Sequence, residues 1–330
     1  MHSRARHGLL ATQSGRRSQR NVNQMSETTI HSFTTSQVPT TETRIFVSRG
    51  GRGAPLLLLH GFPETQVMWR HVAPHLADRF SVVCADLRGY GNSGCPPSDA
   101  DHAAYSKRAM ASDMVEVMDS LGFRRFCVAG HDRGARVAYR LALDHPDRID
   151  RIAVLDAMPL ETVWQRADAR FALSFWPWSL LAQPTPFAER VLMASATAIV
   201  EHALSEWGSP SNVFPADVRA AYEAPLRDPE HARAICEEYR AAADIDRVHE
   251  QADLAGGRRI TCPLLVLWST RGALGSWYET EGGPLGLWRG WSTDVHGQGF
   301  DAGHFFPEEM PGPTADALDR FFAGSEARAS

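Results

Sequence analysis

The stretch Arg125–Tyr139, R-F-C-V-A-G-H-D-R-G-A-R-V-A-Y, decides the fold. Phe126 to Ala129 is a short apolar run, long enough for a buried parallel strand. Gly130-His131-Asp132-Arg133-Gly134 follows, and Ala135 to Leu143 is compatible with a helix. Strand, tight turn with glycine at both ends, then helix is the order of a nucleophile elbow. That turn lifts one side chain above the end of a parallel sheet. The glycines allow a strained turn and close strand–helix packing. The lifted residue is Asp132, where esterases of this architecture place serine.

The replacement has chemical content. A serine that attacked an alkyl carbon would form an ether, which no nearby base could hydrolyse. A carboxylate forms an ester instead, and water can then attack the aspartate's own carbonyl carbon. An elbow aspartate therefore points to displacement at an sp³ carbon through a covalent alkyl-enzyme ester. A structural acid in a glycine-rich turn is the alternative, and the partners decide between them.

The chain has 330 residues, enough for two average domains or for one α/β domain with an insertion. It is 43% hydrophobic and 22% charged, ordinary for a globular protein. A net charge of −5 gives no reason to expect nucleic acid or an anionic membrane as a partner. No apolar run approaches membrane-spanning length. Cys84, Cys95, Cys127, Cys236 and Cys262 are scattered, with no C-x-x-C pair, and read as reduced thiols of a cytoplasmic protein. Met1 to Gln24 contains no acid, and no hydrophobic stretch follows Arg16-Arg17, so a secretory signal is not expected. Residues 1–40 read as a disordered tail, with Met25 an alternative start.

Arg44–Val47 is expected as an edge strand and Pro55–Leu59 as a central buried one. His60-Gly61-Phe62-Pro63 follows. In this architecture that loop supplies one backbone N–H of an oxyanion hole and the residue after the nucleophile supplies the other, here Phe62 and Arg133. A plain strand-to-loop turn would also suit Gly and Pro. Ser81–Ala85 is a third strand. The loop Asp86–Gly94 lacks the spacing of a dinucleotide or P-loop site. Ser106–Leu121 carries Met110, Met114, Val117, Met118 and Leu121 at helical spacing, hence a covering helix.

Ile152–Leu155 is another strand and ends in Asp156. From about Leu160 to Gly257 no buried strand is evident, and the segment reads as a helical cap. Pro263–Trp268 restores the strand pattern, Pro284–Trp291 reads as helix, Asp294–His296 as a short last strand and Thr314–Phe322 as a closing helix. The expected architecture is α/β, a mostly parallel doubly wound sheet whose site lies at the strands' carboxyl ends. Its core spans 41–159 and 259–326, and its cap spans 160–258.

His304, in the loop after the last strand, stands where this architecture carries its base, in the chain order nucleophile, acid, base. The usual place for the acid that orients it, Leu267–Gly272, has no carboxylate. Asp156 is the expected replacement, with a cap or loop acid as the alternative. Arg133 and Arg136 lie within one helical turn of Asp132. Their forks suit a substrate carboxylate and would hold Asp132 ionised, although two surface ion pairs would also account for them.

From about residue 40 the chain resembles the fluoroacetate (haloacetate) dehalogenases of the α/β-hydrolase superfamily. The matching stretches are His60–Pro63, Asp86–Gly91, Gly130–Arg136, Val154–Asp156, Trp178-Ser179 with Leu181–Pro184, Glu238–Arg240 and Gly303–Glu309. H-G-F-P and D-x-R-G-x-G are shared widely with epoxide hydrolases, whereas H-D-R-G-A-R with W-S-x-L-A-Q-P is narrower. The resemblance implies Asp132 as nucleophile, His304 as base, Asp156 as orienting acid, Arg133 and Arg136 on the substrate carboxylate, and Trp178 and Tyr239 at halide-binding positions. It implies a halocarboxylate substrate, halide and glycolate as products, neither metal nor organic cofactor, and a homodimer. One position departs: Pro177 stands where the family places a histidine before the tryptophan. A lost hydrogen bond to fluoride would cost on the order of 1–3 kcal/mol, so chloro- and bromoacetate are expected to be the better substrates. Two rivals remain: an epoxide hydrolase using Tyr239 and Tyr222 as acids, and a non-catalytic ligand-binding protein on the same scaffold.

Overall fold

The computed structural model describes residues 28–324. The expectations for residues 1–27, including the choice between Met1 and Met25 as start, lie outside them, as do residues 325–326 of the expected core. Eight strands form one sheet: β1 (Thr34–Pro39), β2 (Arg44–Gly50), β3 (Ala54–Leu59), β4 (Phe80–Ala85), β5 (Phe126–His131), β6 (Ile149–Leu155), β7 (Leu264–Ser269) and β8 (Val295–Phe300). Their order is β1-β2-β4-β3-β5-β6-β7-β8. β1 and β2 pair antiparallel, as do β2 and β4, and every later pairing is parallel. Leu56 to Leu59 are all fully buried, so both faces of the central strands are covered. This is the expected α/β architecture.

Two strands depart from expectation. Residues 34–39, expected within a disordered tail, form β1, and Arg44–Gly50 is therefore an inner strand rather than the edge. β1 reads T-T-S-Q-V-P and buries only Val38, so it shows no apolar run. β8 reaches Phe300 rather than ending at His296. Its glycines broke the sequence pattern, yet a Cβ on Gly297 would stand 2.1 Å from the Val266 carbonyl oxygen, so close strand contact requires the glycine.

Between β6 and β7 the described residues form helices and no strand, from Leu160–Gln165 through Trp176–Leu181, Ala196–Glu206 and Pro229–Ala243 to Ile245–Ala255. No helix among the described residues is long and apolar enough to cross a membrane. All five cysteines are free.

Register positions the site. Leu59 lies opposite Gly130, His131 opposite Leu155, and Leu155 opposite Leu267. β3, β5, β6 and β7 thus end at one level, and the residues just past them meet. The Asp132 N–H donates to the Leu155 carbonyl at 3.0 Å and the Asp156 N–H to that of Leu267 at 2.8 Å, carrying the ladder one step beyond the strands. The chain then turns sharply. Asp132 has φ 45° and heads the helix Arg133–Asp144, whose Gly134 would carry a Cβ only 2.5 Å from the His60 carbonyl oxygen. Gly134→Ala is expected to lose about 3 kcal/mol or more, because the obstacle is backbone of β3 and cannot move aside. Gly122→Ala, at φ 85° with nothing within 4 Å, should lose only about 1–2 kcal/mol. Urea unfolding midpoints of the two variants check the contrast.

Candidate active site

Asp132 presents its carboxylate above the end of β5. Gly61 faces it so closely that a Cβ there would lie 2.5 Å from the Asp132 Cβ. The Phe62 N–H donates to Asp132 Oδ1 at 3.1 Å. Arg136 Nη1 donates to the Asp132 carbonyl oxygen at 3.0 Å and stands 3.6 Å from Oδ2. Burial alone would raise the carboxyl. Arg136, His304, Arg133 and His131 together outweigh it, and Asp132 is held at about 2.

Asp156, at the end of β6, also has a positive φ of 47°. Its Oδ2 lies 2.6 Å from His304 Nδ1, and its Oδ1 accepts the Ser269 N–H at 2.8 Å. The last residue of β7, before a loop that holds no acid, thus supplies an N–H that fixes the acid at the end of β6. The His304 loop is tied down separately, its N–H donating to the Trp207 carbonyl at 2.8 Å. With Nδ1 on Asp156, Nε2 is the free ring nitrogen of His304.

Asp132, Asp156, His304, Trp178 and Tyr239 line one cavity of about 370 Å³, together with Pro177. Arg133, Arg136 and Phe62 stand behind this wall. The Arg133 guanidinium carbon is 4.1 Å from the Tyr239 ring centre, and that of Arg136 is 4.6 Å from the Trp178 ring centre. Phe62 meets Tyr239 edge-on at 5.7 Å. Tyr222 does not reach the cavity: its hydroxyl donates to Glu308 Oε2 at 3.0 Å.

The arginines are not the surface pair that was the alternative, since both are buried. Nor are they two equal free forks. Arg133 Nε donates to both oxygens of Glu238, at 2.8 and 2.9 Å, and Nη2 also bonds that carboxylate. Buried Lys107 pairs with the same carboxylate. Burial would raise Glu238, but Arg133 and Lys107 prevail and keep it low. Two donors remain without a protein partner, Arg133 Nη1 and Arg136 Nε, both buried. Neither Glu238 nor Lys107 was given a role from sequence. Glu238 adjoins Tyr239, but only the packing of Pro229–Ala243 on the elbow helix reveals its partner. No grouping of three or more His, Cys, Asp or Glu side chains placed to hold a metal ion occurs among the described residues.

Residues 54–281 match the model of a family described as alpha/beta hydrolase fold. The chain is 41% identical over 275 residues to a fluoroacetate dehalogenase from Burkholderia sp, covering 83% of this chain and 88% of the relative. It is 29% identical over 286 residues to a soluble epoxide hydrolase from Corynebacterium sp. (strain C12), covering 85% and 94%. A solved structure from Nostoc sp PCC 7120, provisionally named an alpha/beta hydrolase, superimposes with a TM-score of 0.86 at 44% identity, over 89% of this chain and 99% of that one.

Two measurements follow from these charges. Glu238→Gln strips a shared anion from two buried cations and is expected to cost about 3–5 kcal/mol in chemical denaturation. Asp132 has its folded value depressed from 3.8 to about 2. Its contribution is full above 3.8 and disappears as pH falls through about 2. The stability difference between wild type and Asp132→Asn should therefore shrink by about 2 kcal/mol across that window.

Proposed function

We propose that this chain, which belongs to the α/β-hydrolase family, is a hydrolytic dehalogenase of small α-halocarboxylates such as haloacetates. The observation that carries the reading is an elbow aspartate beside two buried arginines that keep donors unpartnered. A buried donor left unmade costs about 1–3 kcal/mol, and an anionic substrate offers the acceptors both arginines lack. Arg133 Nη1 and Arg136 Nε hold the carboxylate, which presents the α-carbon to Asp132.

Asp132 Oδ2 attacks that carbon and the carbon–halogen bond breaks, its electron pair leaving with the halide. Trp178 and Tyr239, whose rings face the cavity, receive the halide. Oδ1 becomes the carbonyl oxygen of the ester, still bonded by the Phe62 N–H. His304 Nε2 then takes a proton from water as the water oxygen bonds to Asp132 Cγ. The Phe62 N–H, with that of Arg133, stabilises the oxyanion. Asp156 holds the imidazole ring and its transient positive charge. Collapse expels the hydroxy acid's alkoxide, which recovers the proton from His304 and leaves as glycolate when the substrate is a haloacetate.

An epoxide hydrolase would use the same aspartate but would also protonate an epoxide oxygen. Of the two tyrosines available for that, Tyr239 lines the cavity while Tyr222 is turned to Glu308. The buried arginines also have no work on a neutral ring.

A single turnover of chloroacetate in oxygen-18 water should leave the label on Asp132 and not in glycolate. Label in glycolate would mean direct displacement by water and would end this reading. Asp132→Asn should lower halide release by about 10⁴-fold or more. Pro177 lines the cavity and has no N–H to offer fluoride, so chloroacetate should turn over faster than fluoroacetate in a halide-release assay.

A further inference from the structure

His131 is the last residue of β5 and directly precedes Asp132, yet the reaction described above gives it no step. It is fully buried. Its Nδ1 lies 2.9 Å from Glu64 Oε2, and its Nε2 lies 2.9 Å from the carbonyl oxygen of His304. A carbonyl oxygen can only accept. Glu64 Oε2 already accepts the Gly61 N–H at 3.3 Å, as a carboxylate does. A neutral imidazole has one donor and one acceptor nitrogen and cannot serve two acceptors.

From this geometry we infer that His131 is a doubly protonated imidazolium, a positioning residue that clamps the backbone of the base His304 to the strand bearing Asp132. The inference rests on the roles proposed above for Asp132 and His304. Its effect on the reaction has a definite sense. The ring centres of His131 and His304 are 4.6 Å apart, and Asp132 is the next residue, so a fixed positive charge stands behind the nucleophile. Forming the ester removes negative charge from Asp132, which that charge opposes. Attack of water creates negative charge on the same carboxyl group, which it favours. His131 therefore assists the second half of the reaction.

The groups around the imidazole agree. Glu64 faces it from the loop after β3, Asp132 from its own chain, Asp156 from just past β6 and His304 from the last loop, while His60, just past β3, also interacts with it. Glu308, on the neighbouring helix Phe306–Glu309, is occupied by Arg70 and Tyr222. Burial would strip the proton from His131. The charge and hydrogen bond of Glu64, with the charges of Asp132 and Asp156, together outweigh burial and push the group up to about 9.

The test uses the full chain carrying nitrogen-15 histidine. A long-range proton–nitrogen spectrum at neutral pH, with His131 identified by its loss in His131→Gln, should show both ring nitrogens protonated until the pH nears 9. One unprotonated nitrogen at neutral pH would overturn the inference and identify Glu64 as the proton holder. This readout uses folded wild type and folded His131→Gln and needs no substrate, so it is separable from failure of the haloacetate reading, which would appear as no halide release. With chloroacetate, His131→Gln and Glu64→Gln should lower kcat at least tenfold, with the alkyl ester of Asp132 accumulating in mass spectra. The fall in wild-type rate near pH 9 should be absent from His131→Gln. Unchanged kcat with no accumulated ester in either variant would refute the clamp.

Discussion

Charge that is buried has to be paired, and that requirement shapes how the helical segment sits on the sheet. Glu238, Asp246, Glu250 and Asp253 all come from Pro229–Ala243 and Ile245–Ala255 and all are buried. Each meets a partner on the helices Lys107–Ser120 or Arg133–Asp144. Glu238 takes Arg133 and Lys107, Asp246 accepts the Lys107 N–H at 2.8 Å, Glu250 takes the Tyr139 hydroxyl, and Asp253 takes Arg140 at 2.6 Å. Three of these are ion pairs and Glu250 makes a hydrogen bond to a neutral hydroxyl; such buried contacts add little net stability over a well-packed apolar contact, but they fix one alignment. They also deliver Arg133 to the site already oriented, with one nitrogen left over.

The rest of the site uses the same economy of fixed partners. Four strand ends at one level would supply only backbone. What converts them into chemistry is that each next residue is restrained by another element: Asp132 by Phe62, Asp156 by Ser269 of β7, and the His304 backbone by Trp207 after the cap helix Ala196–Glu206 and by His131 of β5.

Much of this was legible in the chain. The elbow is a local object, glycine-bounded and strand-preceded, so Asp132 could be found from its own neighbours. Asp156 was legible by elimination, because Leu267–Gly272 holds no carboxylate. β1 and the length of β8 were not legible, since one is polar with a single buried residue and the other contains two glycines in an open edge. Glu238, Lys107, Glu64 and the second contact of His131 escaped for a different reason. Each derives its meaning from a residue 67 to 173 positions away, and no periodicity or spacing encodes a pairing at that range.

Both carboxylates proposed for the reaction sit at positive φ, Asp132 at 45° and Asp156 at 47°. A positive φ is strained for β-branched and bulky side chains. The backbone therefore filters sequence drift at these two points before chemistry does. At Asp132, where esterases of this architecture carry serine, the backbone admits small polar residues, and which of them stands there decides whether the turn presents an alcohol or a carboxylate.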